Sequence, residues 1–384
     1  MEKIFYENTH ILDFEATVLE CIPFENTYHI VLDRTAFFPE EGGQLADTGT
    51  LNGVPVRDVH IEKDIIYHHM DVAFEAGTKV TGHVDWDRRF DFMQQHSGEH
   101  IISGLLHKHY GFNNVGFHLG LTEVTLDFDG SIGIDSLRDI EAEANQIVYE
   151  NRPIHCFFPD SEELNTMDYR SKIEIEGDVR IVEIPGVDVC ACCAPHVENT
   201  GEIGIIKITG VQSHRGGVRI NILCGKRALK DYTVKQDSVN ALSAILSAKP
   251  ELVVDAVKKL QEDGLKQKDM MNNLANQLLQ LQIASLPAPE IYSNPILFVE
   301  LSNPIAIRNT VNELTDKYSG YCCIFNGNDL DGYSFIIGSS TLDCRILAAT
   351  MREQLGAKGG GTSPMIQGNV KTNKENLIAF FQNK

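Results

Sequence analysis

The chain has 384 residues, of which 42% are hydrophobic and 23% charged, and a formal net charge of −21. This length allows two or three domains, each with its own core, and the composition is typical of a globular protein. We expect no signal peptide and no membrane span, because no cationic stretch precedes an apolar run and no apolar run reaches about 18 residues.

The nine cysteines include two adjacent pairs, Cys192-Cys193 and Cys322-Cys323. An odd count with adjacent pairs does not fit a secreted disulfide framework. The cysteines therefore favour reduced thiols and a cytoplasmic location.

Residues 1–86 read as β structure. Short alternations of apolar and polar residues, such as Thr27 to Leu32, are separated by turns rich in Gly, Asn and Asp. We predict a small β-barrel. The string Phe37-Phe38-Pro39-Glu40-Glu41-Gly42-Gly43-Gln44 is predicted to be a loop, because Pro and paired Gly interrupt regular elements.

A helix is predicted next, with Asp87 as its N-cap and an end near His109, before Gly111. His96 and His100 fall on one face of this helix among apolar and small residues. That face should be buried, so both imidazoles should point inward.

The following segment alternates strands and one helix. We predict a hairpin over 115–129, a helix over 136–151 and further strands over 178–210. The last of these contains Cys190, Cys192 and Cys193, followed by His196.

Charge is distributed unevenly along the chain. Residues 296–384 carry eight basic and eight acidic side chains, so the acidic excess lies before residue 296. Within that acidic part, residues 203–235 carry seven basic side chains against Asp231 alone. Because charges are screened beyond about 8 Å, such a patch can bind phosphate on an acidic protein, although a solvated basic face is an equal alternative.

Residues 227–285 have helical character, with a turn or second helix start at Pro250. Apolar residues from Val253 to Leu281 recur at alternating four- and three-residue steps. This pattern predicts a helical hairpin or coiled coil, which serves either as a core stripe or as a dimer seam.

A linker is predicted at 285–290, followed by a compact α/β unit with helices at 305–318 and 343–355. The run Gly359-Gly360-Gly361 permits close backbone approach and an anion-binding nest, or a flexible loop.

Two ligand pairs carry the chemistry. Side chains four residues apart on a helix lie about 5–6 Å from each other, which lets His96 and His100 bind one ion. A thiolate and His196 complete a set that suits four-coordinate zinc. Spacing does not choose among the three nearby cysteines.

The first pair also allows a second interpretation. His96-Ser97-Gly98-Glu99-His100 matches the H-x-x-E-H motif of inverted zinc peptidases, in which Glu99 would be the general base. That interpretation leaves the Cys/His segment and the basic residues unexplained.

Taken together, the motifs resemble a known family. The loop at 37–44, His96-x-x-x-His100 and the string from Cys192-x-x-x-His196 to Gly204 occur in the order found in the editing domain of alanyl-tRNA synthetase and the AlaX proteins. Gly216 to Ile220 is similar to the family's G-x-R-I element. The C-terminal glycine run with Gln367-Gly368 is similar to the DHHA1 domain, so the long AlaX form is the nearest match.

The resemblance implies an α+β multidomain fold. Its parts would be a β-barrel domain (1–86), an α/β zinc-binding editing domain (87–226), a helical hairpin or coiled coil (227–290) and a DHHA1-like α/β domain (291–384). It also implies that Cys192 supplies the thiolate. The implied zinc ligands are therefore His96, His100, Cys192 and His196.

Two departures from the family pattern stand out. Glu41 occupies a position that is commonly Gly, and Cys192-Cys193-Ala194-Pro195-His196 stands where C-G-G-T-H is common. Each places side chains where the family has Gly, and each bears on substrate contact.

The implied function is hydrolysis of tRNA(Ala) mischarged with serine, with glycine left open as a second substrate. Besides the peptidase interpretation, a zinc-stabilised tRNA-binding module without catalysis is a third possibility. Thr35 is the predicted partner of the serine hydroxyl, and Gln44, Gly42 and Gly43 are predicted substrate residues. The predicted tRNA-binding residues are Lys207, Arg215, Arg219, Lys226, Arg227, Gly359, Gly360 and Gly361. A homodimer through the helical or DHHA1-like segment is expected. Because four protein ligands fill a tetrahedral zinc, substrate positioning is favoured over water activation.

Overall fold

The structure is a computed structural model that describes residues 1–171, 177–290, 293–301 and 304–382. It confirms the mixed α+β class. The chain divides into two compact units, Met1–Ser238 and Val239–Lys384. The predicted domain start at residue 291 lies outside the described residues.

The first unit is built mainly from strands. They are β1 Glu2–Lys3, β2 Asp13–Phe24, β3 Thr27–Leu32, β4 Arg34–Thr35, β5 Gly49–Leu51, β6 Val54–Glu62, β7 Ile65–Met70, β8 Lys79–Val84, β9 Asn114–Leu119, β10 Val124–Phe128, β11 His155–Phe157, β12 Ile181–Ile184, β13 Asp188–Ala191, β14 Ile206–His214 and β15 Gly217–Cys224. Its helices are α1 Trp86–Tyr110, α2 Ile134–Glu150 and α3 Ser161–Thr166, and α4 Gly225–Leu246 contains the boundary with the second unit.

Six N-terminal strands close into a barrel in the order β2-β3-β7-β6-β5-β8. Alternation places one face of each strand inside, as in β8, where Val80, Gly82 and Val84 are buried. Gly82 is required there because a Cβ would lie 2.2 Å from the Phe14 ring. The loop after β4 packs Phe37 and Phe38 into this core.

Helix α1 is the structural centre of the first unit. It begins after Asp85, whose side chain caps Arg88 N, rather than after the predicted Asp87, and it ends at Gly111 in the left-handed conformation. The N-cap prediction was wrong by two residues because both positions are Asp and local pattern does not separate them. Residues 92–106 are buried on all sides of this helix.

Two sheets surround α1. One has the order β14-β15-β10-β9 and includes the predicted hairpin, and the other has the order β11-β12-β13. Gly98 and Gly104 allow close contact, because a Cβ would lie 2.4 Å from Cys224 Sγ and 2.5 Å from Val187 O, respectively. Strand β13 ends directly before Cys192, so it delivers the second ligand pair to α1.

The second unit contains a five-stranded sheet in the order β16-β17-β18-β20-β19. Its strands are β16 Ile296–Val299, β17 Cys322–Asn328, β18 Gly332–Gly338, β19 Lys358–Thr362 and β20 Met365–Val370. Its helices are α5 Val253–Ala284, α6 Pro304–Thr315, α7 Cys344–Leu355 and α8 Lys374–Gln382. The helices predicted near 305–318 and 343–355 are therefore confirmed, whereas α8 was not predicted.

The glycine run forms a strand rather than the predicted nest or loop. Gly359, Gly360 and Gly361 lie in β19, an exposed edge strand paired with β20. A Cβ at Gly359 would lie 2.3 Å from Gln367 O, so pairing itself demands glycine. The prediction failed because three glycines give no strand signal of their own.

The predicted helical segment is confirmed as α4 and α5, separated by a short 3-10 turn that begins at Pro250. Apolar side chains along α5 are exposed, among them Leu260, Met271, Leu274, Leu278 and Leu281. Within the described ranges, no helix combines the length and apolar content needed to cross a membrane.

Candidate metal centre and cavity

Four side chains converge beside α1. His96 and His100 lie one turn apart on this helix, and Cys192 and His196 lie in the segment after β13. Their ligand atoms all lie within 4.8 Å of one another. Cys192 Sγ is 3.5 Å from His96 Nε2 and 3.4 Å from His196 Nε2. The structure thus brings together the four residues named from the motifs and can hold a metal ion there.

These distances fit zinc. Zinc–sulfur and zinc–nitrogen bonds of about 2.3 and 2.0–2.1 Å at a tetrahedral angle place S and N about 3.6 Å apart. The observed separations are within 0.2 Å of that value. These two sulfur–nitrogen separations therefore match those of a four-coordinate zinc site.

Each imidazole of the cluster is oriented by a hydrogen bond at Nδ1. His96 Nδ1 donates to Gln44 Oε1 at 2.9 Å, and His100 Nδ1 donates to Asp188 Oδ2 at 2.8 Å. His196 Nδ1 lies 3.0 Å from Ser97 Oγ. Because Gln44 and Asp188 accept the Nδ1 protons, Nε2 is the nitrogen of His96 and of His100 that faces the cluster, which is the arrangement of metal-binding histidines.

The charge state of the cluster also suits a cation. Burial opposes ionisation of Cys192, but His96 and the hydrogen bonds from His100 and His196 hold the pKa of its thiol well below the ordinary value. Burial lowers the pKa of His196 to about 3, so this imidazole is neutral. A thiolate and neutral imidazoles are the forms that bind metal.

His100 behaves differently. Burial alone would lower its pKa, but hydrogen bonds to Asp188 and Cys192 outweigh burial and raise the pKa to about 10. A metal ion at His100 Nε2 would replace that proton, so metal binding should release it.

Asp188 supports the site through its hydrogen bond to His100. Its side chain is 2% exposed and also accepts hydrogen bonds from Arg170 Nε and Nη2 at 2.7 and 2.9 Å. His100, Asp188 and Cys190 also have ligand atoms within 4.8 Å of one another. Because both Asp188 oxygens already accept hydrogen bonds, its role here is to position His100.

A cavity of about 1070 Å³ opens onto the cluster. Its wall includes His96, His100 and Cys192, the turn residues Glu41, Gly42 and Gly43, and further along Tyr6, Phe117, Phe158 and Arg180. This volume is comparable with that of sites that hold small ligands.

Gly42 and Gly43, two of the predicted substrate residues, line the cavity. Both have positive φ, +61° and +81°. A Cβ at Gly43 would lie 2.8 Å from Phe117 O, and one at Gly42 would lie 3.1 Å from Cys193 Sγ. The turn therefore needs glycine at both positions to run this close to the metal cluster.

Gln44 and Thr35 lie outside the described cavity wall. Gln44 is fully buried and accepts a hydrogen bond from His96, while its Nε2 has no hydrogen-bond partner among the described residues. Thr35 is also fully buried. Its hydroxyl lies 2.8 Å from His68 Nε2 and accepts from Phe37 N at 3.1 Å. His68 Nδ1 donates to Ile30 O at 2.9 Å, so Nε2 accepts the Thr35 hydroxyl proton.

Most of the predicted tRNA-binding cations are paired with carboxylates. Lys207 pairs with Glu141 at 2.5 Å and Arg219 with Asp127 at 2.6 Å. Lys226 pairs with Asp87, and Arg227 with Asp91, both at 2.6 Å. The partners lie outside residues 203–235, so a count along the chain overstated the free positive charge of this segment.

Arg215 differs from those four. It lies exposed at the tip of the β14–β15 hairpin with φ of +46°, and none of the ion pairs found among the described residues includes it. Gly359, Gly360 and Gly361 belong to the second unit and are exposed in β19.

Glu99, the general base of the peptidase interpretation, is buried. Its Oε1 accepts from Ser103 Oγ at 2.7 Å and from Asn114 Nδ2 at 2.6 Å, and its Oε2 lies 3.8 Å from His100 Nε2. Glu99 is not among the described residues that line the cavity. These contacts favour a role in fixing α1 against β9.

Motif reasoning missed the side chains that support the ligands, namely Asp188, Arg170 and Ser97. Ser97 carried a usable signal, since it lies between the two helix histidines. Asp188 and Arg170 carried none, because their roles depend on contacts with residues 88 and 18 positions away in the chain.

Two family models match parts of the chain. Residues 179–221 match the threonyl and alanyl tRNA synthetase second additional domain. This range of the chain includes Cys192 and His196. Residues 3–88 match the class II (A) tRNA synthetases.

Whole proteins match over most of the chain. An alanine–tRNA ligase of Ignicoccus hospitalis is 27% identical over 94% of this chain and 40% of its own length. The mouse alanyl-tRNA editing protein Aarsd1 is 28% identical over 96% of this chain and 94% of its own length. The chain is AlaX-like. The Xenopus laevis alanyl-tRNA editing protein Aarsd1-A is 33% identical over 61% of this AlaX-like chain and 58% of its own length.

The AlaX-like chain spans about two fifths of the alanine–tRNA ligases it matches. The predicted resemblance to the alanyl-tRNA synthetase editing domain and its free-standing relatives is thus confirmed.

Proposed function

We propose that this protein is a trans-editing hydrolase that deacylates mischarged tRNA(Ala), chiefly Ser-tRNA(Ala). The observation that carries the proposal is the convergence of four potential metal ligands beside a cavity of about 1070 Å³. The ligands are His96, His100, Cys192 and His196, and the first three line the cavity. Relatives named alanyl-tRNA editing proteins match this chain over most of its length.

We further propose that the bound metal is zinc, held by these four residues. The donor set and its spacing support zinc. When bound, the ion supplies positive charge that draws electron density from the ester carbonyl or orients the aminoacyl group.

The reaction needs little more than positioning, because an aminoacyl ester is already reactive. One water oxygen joins the ester carbonyl carbon, the bond from that carbon to the ribose oxygen breaks, and the ribose oxygen takes a proton. The products are free serine and uncharged tRNA. Gly42 and Gly43 keep the wall beside His96 open for the ester, while buried Gln44 fixes the His96 ring.

Thr35 remains our predicted partner of the serine hydroxyl. Its hydroxyl now donates to His68, so this role requires the Thr35 hydroxyl to exchange His68 for substrate. A site built around such a hydrogen bond can reject alanine by about 10⁴-fold or more. Thr35→Val should slow Ser-tRNA(Ala) hydrolysis and leave tRNA binding unchanged; an unaltered rate removes Thr35 from the site.

For the tRNA body, we propose that exposed Arg215 contributes more than the four paired cations. Breaking a surface ion pair to bind phosphate offsets part of the gain. Arg215 takes part in none of the ion pairs of the described residues, so its guanidinium has no such cost there. Arg215→Ala should therefore weaken tRNA binding more than Lys226→Ala does. We also propose that the exposed glycines at 359–361 contact the tRNA. A further proposal is that the protein forms a homodimer through the exposed apolar side chains of α5.

Deacylation of Ser-tRNA(Ala) compared with Ala-tRNA(Ala) tests the main proposal. We expect rapid loss of serine, slow loss of alanine, and loss of activity in Cys192→Ala. Binding of tRNA with no hydrolysis of either ester would instead identify a non-catalytic binding module. For the peptidase alternative, Glu99→Gln should remove peptide cleavage but spare editing, because a Gln oxygen can still accept from Ser103 and Asn114.

A further inference from the structure

Glu41 is a charged side chain at the rim of the metal cluster. It opens a tight turn in which Glu41 N donates to Gln44 O at 3.2 Å and Gln44 N donates to Glu41 O at 3.1 Å. The far end of this turn holds His96 through Gln44. One turn therefore fixes both a metal ligand and the Glu41 side chain.

The Glu41 carboxylate lies in the cavity beside Cys193. It is half-buried and lines the cavity together with Cys193, and the two side chains interact electrostatically. Cys193 directly follows the ligand Cys192. Glu41 thus places a negative charge beside the residue that directly follows a metal ligand.

Two other carboxylates line the described cavity wall, Asp64 and Asp178. Asp64 pairs with Lys3 at 2.7 Å. Asp178 has no contact with the turn or with Cys193 among the interactions of the described residues. Glu41 is therefore best placed to meet a cation on a ligand that reaches the cluster.

The substrate class proposed above carries such a cation. An aminoacyl ester has a free α-amino group, and α-amino groups titrate near about 7.7–8.0, so most are cationic at pH 7. This nitrogen is bonded to the carbon next to the ester carbonyl. A carboxylate beside the cluster can accept hydrogen bonds from the ammonium while the carbonyl faces the metal ligands.

We propose that Glu41 binds the α-ammonium group of the aminoacyl ester and so orients the ester for hydrolysis. This inference rests on the proposed function. It gives Glu41 a role in orienting the substrate. The family pattern has glycine at this position and therefore has no such side chain. A consequence is that the protein discriminates between free and N-blocked aminoacyl groups.

The test uses two matched pairs of probes with the full chain. One pair is Ser-tRNA(Ala) and N-acetyl-Ser-tRNA(Ala), compared by kcat/KM. The other is a non-hydrolysable 3′-serylamido adenosine and its N-acetyl form, compared by calorimetric binding. Acetylation removes the cation and keeps the rest of each probe.

We expect the unmodified protein to favour the free ammonium form about tenfold or more with both probe pairs, since hydrogen bonds between charged groups are the strong ones. Glu41→Gln should reduce this preference to about twofold or less, and Glu41→Asp should retain part of it. Glu40→Gln is the matched control, because Glu40 is exposed and lies outside the described cavity wall, and it should keep the preference. Bound metal and circular dichroism verify that each variant is folded.

The outcomes separate the two proposals. A preference for the free ammonium form that Glu41→Gln retains, or that Asp178→Asn abolishes instead, overturns the role of Glu41. Ser-tRNA(Ala) hydrolysis without any ammonium preference overturns it as well but leaves the editing function intact. An ammonium preference in binding that depends on Glu41, without hydrolysis, supports Glu41 and overturns editing. Failure of both probe pairs to bind overturns both.

Discussion

The buried ion pair between Asp47 and Arg89 offers a direct test of how the cavity loop is held. Both side chains are 0% exposed. Arg89 Nε lies 3.0 Å from each Asp47 oxygen, and Phe38 N donates to Asp47 at 2.7 Å. Arg89 also donates to Thr9 O at 3.0 Å and Ala36 O at 2.6 Å. The pair thus ties α1 to the loop on both sides of Gly42 and Gly43.

Asp47→Ala should strongly lower the free energy of unfolding of the first unit. It leaves the Arg89 charge buried without its carboxylate, which costs about 3–5 kcal/mol, and leaves the Phe38 amide unpaired at about 1 kcal/mol more. Because domains are stable by only about 5–15 kcal/mol, this loss is large. Adding Arg89→Met should recover part of it, since no buried charge remains.

Urea unfolding followed by fluorescence of Trp86 measures this effect, because Trp86 is the single tryptophan and lies at the start of α1. Asp71→Ala is the matched control. Asp71 pairs with Arg57, and their side chains are 47% and 63% exposed, so its loss should cost less than about 1 kcal/mol. Equal, small losses in Asp47→Ala and Asp71→Ala would refute the reasoning.

Three further predictions concern the site and the barrel. Asp188→Asn should weaken metal affinity about 10–100-fold in a chelator competition, because it disturbs the partner of His100; unchanged affinity contradicts a positioning role. Gly43→Ala should destabilise the protein by about 1–3 kcal/mol in urea unfolding, through positive φ and the clash with Phe117 O; a neutral effect contradicts the tight turn. Burial lowers the pKa of His68 to about 4, so its neutral form stabilises the fold above about pH 6.5 and that contribution, about 3 kcal/mol, is lost as pH falls towards 4. His68→Gln should flatten the unfolding free energy between these pH values, and an unchanged slope contradicts this account.

Elements with strong local signals were predictable from the sequence. The repeat of His96 and His100 within an otherwise apolar helix face located α1, and Gly111 located its end. The long helices around Pro250 followed from their periodicity. In each case the residues that determine the element lie within it or directly beside it.

What could not be predicted depends on residues far apart in the chain. Lys207 and Arg219 looked free because their carboxylates, Glu141 and Asp127, precede them by 66 and 92 residues. Gln44 is predicted from its motif to be a substrate residue, whereas in the structure its oxygen accepts a hydrogen bond from His96. Polar side chains next to a motif can face substrate or support a ligand, and only the tertiary structure distinguishes the two.

The hydrogen bonds that orient the three histidines of the cluster have a consequence for the folding pathway. The hydrogen bonds to His96, His100 and His196 span 52, 88 and 99 residues, respectively. Contacts of such high sequence separation require long chain segments to be ordered first, so they form slowly and late. We therefore expect the cluster to mature in the last stage of folding, with rapid local formation of α1 preceding it. In refolding experiments, acquisition of tight metal binding should lag behind recovery of helical circular dichroism.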